Sequence, residues 1–200
     1  MGTIAALAGE GDLILADKLI HACMLDGARL SGATLKRFAH NDTAHLARLL
    51  TEHRNRYNHC LILTESVFSM DGDRAPLAEL AQLVADHAGW LMIDDAHGLG
   101  FIPAGDYPLP GDIIWTGTLS KALGSYGGYV AGSHVLIEYL VNHARSLKNL
   151  GAMNLSLDDP RILVGLLVGA VLPFVVGAST MLAVGKAAGS IVNEIKRQFD

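Results

Sequence analysis

An α/β architecture built on a mainly parallel sheet with flanking helices follows from three observations. Strand-like runs recur at Asp12–Ala16, Thr34–Phe38, His59–Thr64, Trp90–Ile93 and Asp112–Trp115, each of a length that suits a buried strand. Helix-like segments lie between the first four, the alternation that gives βαβ units. Polar clusters then fall just past three of the runs, at Glu65–Ser69, Asp94–His97 and Thr116–Lys121. Loops that follow the strands of a parallel sheet share one edge, so these clusters are expected to converge on one site.

The elements follow in order. Residues 1–8 read as the tail of a helix, as if cut into an element already under way, and Gly9–Glu10–Gly11 ends it. Ala22–Leu30 reads as a helix with Gly32 as its stop. Thr43–His53 reads as a helix capped by Asp42 or Thr43, whose side-chain oxygen can accept from first-turn N–H groups. ESVFSMDGD is a polar loop that turns at Asp71–Gly72–Asp73. Pro76 opens a helix over Leu77–His87, where its missing N–H is harmless, and Gly89 ends it. Tyr129–Ala131 reads as a sixth strand and His134–Ala144 as a helix. His40, Asn41 and Asp42 read as a polar turn with no chemistry assigned.

Composition narrows the function. A net charge of −5 and a pI near 5.9 argue against nucleic acid as the main partner. Cys23 and Cys60 stand far apart without a CxxC pair, and read as buried free thiols of a reducing compartment. The N-terminus lacks the basic region and long apolar run of a signal peptide. From about Leu147 the character changes: Ile162–Gly185 is 24 uncharged, mostly apolar positions. A helix of that length spans roughly 36 Å, enough for a bilayer core of about 30 Å. Gly165 and Gly169 form a small-xxx-small face, and Pro173 is a kink that membrane helices tolerate. The expectation is a transmembrane-like helix, with a buried soluble helix as the alternative. A mixed-charge amphipathic tail, Lys186–Asp200, follows.

Lys121 lies just past a buried strand among hydroxyl and glycine residues, TGTLSKALG. It reads either as a lysine in a polar turn or as an amine held for Schiff-base chemistry. Asp94 closes an apolar strand, where a carboxylate needs a cation or hydrogen-bond donors. A pyridinium nitrogen would suit it, and capping of the next loop is the plainer role. His97 reads as a holder of a cofactor oxygen, a proton-transfer group or a loop residue bonded to backbone. Asp94, Asp95 and His97 are residue types that bind metals, but no further ligand cluster supports such a site. His21 reads as a ring for stacking or a core histidine. Glu65 and Ser69 read as hydrogen-bond partners of a ligand or as backbone caps. Gly124, Gly127 and Gly128 let backbone approach a group closely, a phosphate being one candidate.

Five stretches, DLILADKLIHACMLDGARLSG, FAHNDTAHLARLL, TESVFSMDGDRAPLAELAQL, WLMIDDAHGLG and TGTLSKALGSYGGYVAGS, together resemble the α-oxoamine synthase family of fold-type-I pyridoxal-phosphate enzymes. The resemblance covers residues 1–146 and implies a partial fold-type-I large domain. It implies decarboxylative condensation of an amino acid with an acyl-CoA or acyl-carrier thioester, with wording closest to the branch that serves biotin synthesis. It also implies pyridoxal 5'-phosphate (PLP) as cofactor, a homodimer and a cytoplasmic setting. By the same resemblance Lys121 bonds PLP as a Schiff base and moves protons at the substrate α-carbon. Asp94 pairs with the pyridinium nitrogen, His97 with the phenolic oxygen, and His21 stacks on the ring. Thr118 helps hold the phosphate, while Glu65 and Ser69 line the site. The family's glycine/aromatic phosphate loop and its C-terminal small domain have no match in the sequence, so an impaired site is expected.

A second resemblance covers residues 155–199. LDDPRILVGLLVGAVLPFVVGASTMLAVGKAAGSIVNEIKRQF is similar to a late transmembrane helix of proton- or sodium-translocating membrane pyrophosphatases. It implies membrane association through residues 162–185, with residues 147–154 as a junction. The alternatives are a fragment of such a pyrophosphatase or a non-functional fusion of two unrelated fragments.

Overall fold

In the computed structural model the described residues are 1–103, 106 and 109–144. The apolar segment 162–185 and the expected junction lie outside the described residues. One compact unit comprises Met1–Leu123 and the described residues from Gly127.

Helix α1 (Gly2–Leu7) leads into β1 (Leu13–Asp17), α2 (Ala22–Ser31), β2 (Thr34–Phe38) and α3 (Thr43–His53). A 3₁₀ turn at Arg54–Arg56 precedes β3 (Cys60–Glu65), α4 (Leu77–Asp86) and β4 (Trp90–Asp94). Strands β5 (Asp112–Thr118) and β6 (Gly128–Ala131) and helix α5 (His134–His143) complete the described chain. The strands form one sheet in the order β2–β1–β3–β4–β5–β6. All neighbours pair in parallel except β5 and β6, which are antiparallel.

Burial explains the sequence of each strand. Every residue of β1 and β3 is buried, as expected of interior strands covered on both faces, which read as unbroken apolar runs. Edge strand β2 carries Lys36 and Arg37 on a partly exposed ribbon, a charged edge that discourages further pairing. The helix ends obey local chemistry. Gly32 closes α2 in the left-handed region at φ 79°. The Asp42 carboxylate accepts the His45 N–H at 2.7 Å to cap α3, and the Ser133 hydroxyl accepts the Leu136 N–H at 3.3 Å to cap α5. Pro76 stands at the N-cap of α4 rather than at its first helical position.

Two expectations are corrected at the strand ends. Glu65 is the last residue of β3 and Thr116–Thr118 belong to β5, while Asp94 closes β4 as expected. The polar clusters begin inside the ladder because neighbouring strands satisfy their backbone groups. Glu65 pairs with Asp94, and Asp94 with Thr116.

The turn at His40 is also more than a polar turn. Its imidazole bridges two carboxylates, Nδ1 to Asp17 Oδ1 at 2.9 Å and Nε2 to Asp73 Oδ2 at 2.8 Å. Asp17 is fully buried and also accepts the backbone N–H groups of Leu19 and Asn41 at 2.8 Å. The His40 ring meets Phe68 edge-on at 4.4 Å. The clip ties the ends of β1 and β2 to the loop that follows β3. Burial pulls the His40 pKa down, but the hydrogen bonds to Asp17 and Asp73 outweigh it, and the net shift is upward. A base with a raised folded pKa stabilises most below its unfolded value, 6.5, and loses that contribution as pH rises through the folded value. His40→Ala is therefore expected to lower stability by about 2 kcal/mol at pH 6. It should also flatten the decline in urea midpoint above pH 6.5; equal pH slopes in the two proteins would contradict the clip.

Candidate active site

The order of the strands places the site. From β1 the chain crosses to β2 on one side, and β3 lies on the other. The loops after β1 and β3 therefore diverge, and such a switch point at the C-terminal edge of a parallel sheet is where open α/β folds leave a crevice. A cavity of about 780 Å³ lies there, walled by His21, Glu65, Asp94, His97, Thr118 and Lys121 among others. Residues from the ends of four strands thus meet, as the clustering of polar residues past the strands predicts.

Lys121 Nζ lies 2.6 Å from His97 Nε2. Burial lowers the His97 pKa most, and the Lys121 cation lowers it further against the opposing pull of Asp94. The imidazole is therefore biased towards its neutral form, with Nε2 able to accept from the amine. Asp94 accepts the Ala96 N–H at 3.0 Å, which folds the chain back so that His97 faces the same cavity. His21 is the N-cap of α2: its Nδ1 accepts the Cys23 N–H at 3.2 Å, and its own N–H donates to Glu65 Oε1 at 2.5 Å. Glu65 is 3% exposed, and burial raises its pKa despite the His21 and Ser69 N–H groups that favour the carboxylate. Thr118 Oγ1 bonds Ser120 Oγ at 2.7 Å and donates to the Gly127 carbonyl at 3.1 Å, which shapes the turn that carries Lys121.

Six of the seven residues expected at the site line this cavity. Ser69 does not: it lies exposed in the turn after β3, and its N–H acts on Glu65. Nothing in the sequence pattern marks Ser66 or Tyr129, and Asp95 stands out there only as a residue type that binds metals. Asp95 accepts the Ser66 hydroxyl at 2.6 Å and the Tyr129 hydroxyl at 3.2 Å. Its position beside Asp94 was the one available signal.

A primary amine, two carboxyl groups, two imidazoles and hydroxyl donors on one cavity wall suit a ligand with a carbonyl, a ring nitrogen and further polar substituents. The family model for aminotransferase class I and II matches residues 2–153, and the chain belongs to that family. Similar curated proteins bear the name 8-amino-7-oxononanoate synthase. That of Alkalilimnicola ehrlichii is 53% identical over 159 residues, covering 73% of this chain and 39% of the relative. That of Methylorubrum populi is 53% identical over 148 residues, with 74% and 37% covered. The chain spans less than half the length of these relatives. Among solved structures, serine palmitoyltransferase from S. paucimobilis with a bound PLP–myriocin adduct matches at a TM-score of 0.66 and 30% identity, covering 73% of this chain and 41% of that one. An 8-amino-7-oxononanoate synthase from Francisella tularensis matches at 0.58 and 28% identity, covering 76% and 51%. These matches indicate PLP as the cofactor, and the donor set of the cavity fits it.

A second family model, for inorganic H+ pyrophosphatase, matches residues 116–200, less than half of the chain and overlapping the first. Among the described residues no helix is long and apolar enough to cross a membrane.

Proposed function

We propose that residues 1–146 are part of a PLP-dependent acyltransferase of the 8-amino-7-oxononanoate synthase kind. The reaction is the decarboxylative condensation of an amino acid with an acyl-CoA or acyl-carrier thioester in biotin synthesis. The observation that carries this reading is the contact of Lys121 with His97 in a cavity that Asp94, Glu65 and His21 also line. When bound, PLP supplies an electron sink for negative charge at the substrate α-carbon. Asp94 would hold the ring nitrogen by charge, and His21 would cover the ring face. His97, biased towards its neutral form by burial and by Lys121, would hydrogen-bond the phenolic oxygen and accept a hydrogen bond from the Lys121 amine. Lys121 would hold the cofactor and then move the proton at the α-carbon. Thr118, with Ser120 beside it, would hold the phosphate. Glu65 would keep His21 in place through its backbone N–H, and Ser69 would act through Glu65. A homodimer and a cytoplasmic setting go with this reading. Among the described residues nothing supports an impaired site.

Incubation with PLP followed by borohydride is expected to leave a phosphopyridoxyl adduct on Lys121, seen by peptide mass spectrometry. Lys121→Ala should abolish it. An adduct spread over surface lysines such as Lys18 and Lys36, with none at Lys121, would contradict the assignment.

The pyrophosphatase match favours a second reading for residues 155–200 alone. Under it, this segment derives from a transmembrane helix of an ion-translocating membrane pyrophosphatase, joined at residues 147–154, and associates with membrane through residues 162–185. Fused to a soluble reporter, residues 159–199 should carry it into the membrane fraction; a wholly soluble reporter would rule this out.

A further inference from the structure

We propose that Asp95 is the positioning residue that holds Lys121 against His97, by tying three strands through one buried carboxylate. The inference rests on the roles proposed for Lys121 and His97, and on contacts that need no cofactor. Asp95 has no exposed surface. Its Oδ1 accepts the Ser66 hydroxyl at 2.6 Å and its Oδ2 the Tyr129 hydroxyl at 3.2 Å. Its own N–H donates to the Thr116 carbonyl at 2.6 Å. Each partner adjoins a part of the site. Ser66 follows Glu65 and donates its N–H to the Asp94 carbonyl at 2.9 Å. Thr116 begins the approach to Lys121, and Tyr129 lies on β6, the return limb of the segment that carries Lys121.

The packing around this carboxylate admits little slack. Tyr129 sits opposite Gly117 in the β5–β6 ladder, and a Cβ at Gly117 would fall 2.7 Å from its ring. Only glycine there lets the ring cross β5 to reach β4. A Cβ at Gly98 would collide with Asp95 Oδ1 and Ser66 Oγ. The base of the Lys121 turn is tied to the same limb, since the Leu119 N–H and Thr118 hydroxyl both donate to the Gly127 carbonyl, at 3.0 and 3.1 Å. A shift of Tyr129 is therefore passed to the turn that sets the 2.6 Å contact between Lys121 and His97. A carboxylate only accepts, so it can accept hydrogen bonds from both hydroxyls; an amide at this position would present a donor to one of them.

The test is the titration of His97 by NMR in the full chain without PLP, in the wild type, Tyr129→Phe and Asp95→Asn. His97 is faced by Lys121, Asp94 and His21. In the wild type its midpoint should lie below 6.5. In both variants Lys121 should withdraw, and the His97 midpoint should rise while that of His40 stays fixed. If Asp95→Asn fails to fold, Tyr129→Phe decides, because it removes one hydroxyl and keeps the ring. An unchanged His97 midpoint in folded Tyr129→Phe would overturn the proposal. So would a shift shared by His40, which would mark a general loosening. Failure of PLP to bond Lys121 would overturn the proposed reaction and leave this result unaffected.

Discussion

The structure depends on the in-register parallel pairing of β3, β4 and β5, which aligns Glu65 with Asp94 and Asp94 with Thr116. Side chains alternate across a sheet, so a slip of one residue would turn Asp94 to the other face and carry His97 with it. Apolar pairs along the ladder, such as Leu63 with Met92 and Met92 with Ile114, hold that register. Hydrophobic packing far from the chemistry thus decides which polar groups share the cavity. The reversal of strand order beside β1 then opens space for a ligand at the edge where those groups end.

The electrostatics of the site follow from this crowding. Glu65 is buried and its carboxyl holds its proton more readily than usual, while His97 loses its proton more readily. Both shifts disfavour isolated charge, which is what burial does when pairing is incomplete. Two titratable groups pushed towards neutrality beside a lysine amine make a site that can hold and pass a proton. Cys60, buried in β3, is pushed up to about 12 by the same desolvation, so it acts as an apolar core residue. His40 goes the other way because two carboxylates face it.

Much of this was legible in the sequence because the signals were local. The apolar runs of β1, β3 and β4, the Gly32 stop and the Asp42 cap depend on neighbours a few residues away. Lys121, Asp94, His97 and His21 stood out because each follows or ends such a run. What was not legible depends on distant pairs. Asp95 meets Ser66 and Tyr129 across 29 and 34 residues, and His40 meets Asp17 and Asp73 across 23 and 33. No periodicity encodes those partners; only the sheet order brings them together. Glu65 and Thr116 were expected in loops because a polar residue at a strand end looks like the start of a turn. Ser69, expected on the cavity wall, lies exposed at the start of the turn that follows Phe68.

The proposal that strand register assembles a PLP site around Lys121 is tested most directly by a crystal structure of this chain grown with PLP. The cofactor should lie in the cavity between β1 and β5, joined to Lys121, with its ring nitrogen at the Asp94 carboxylate and its ring beneath His21. PLP bound elsewhere, or bound there with its nitrogen turned away from Asp94, would contradict it.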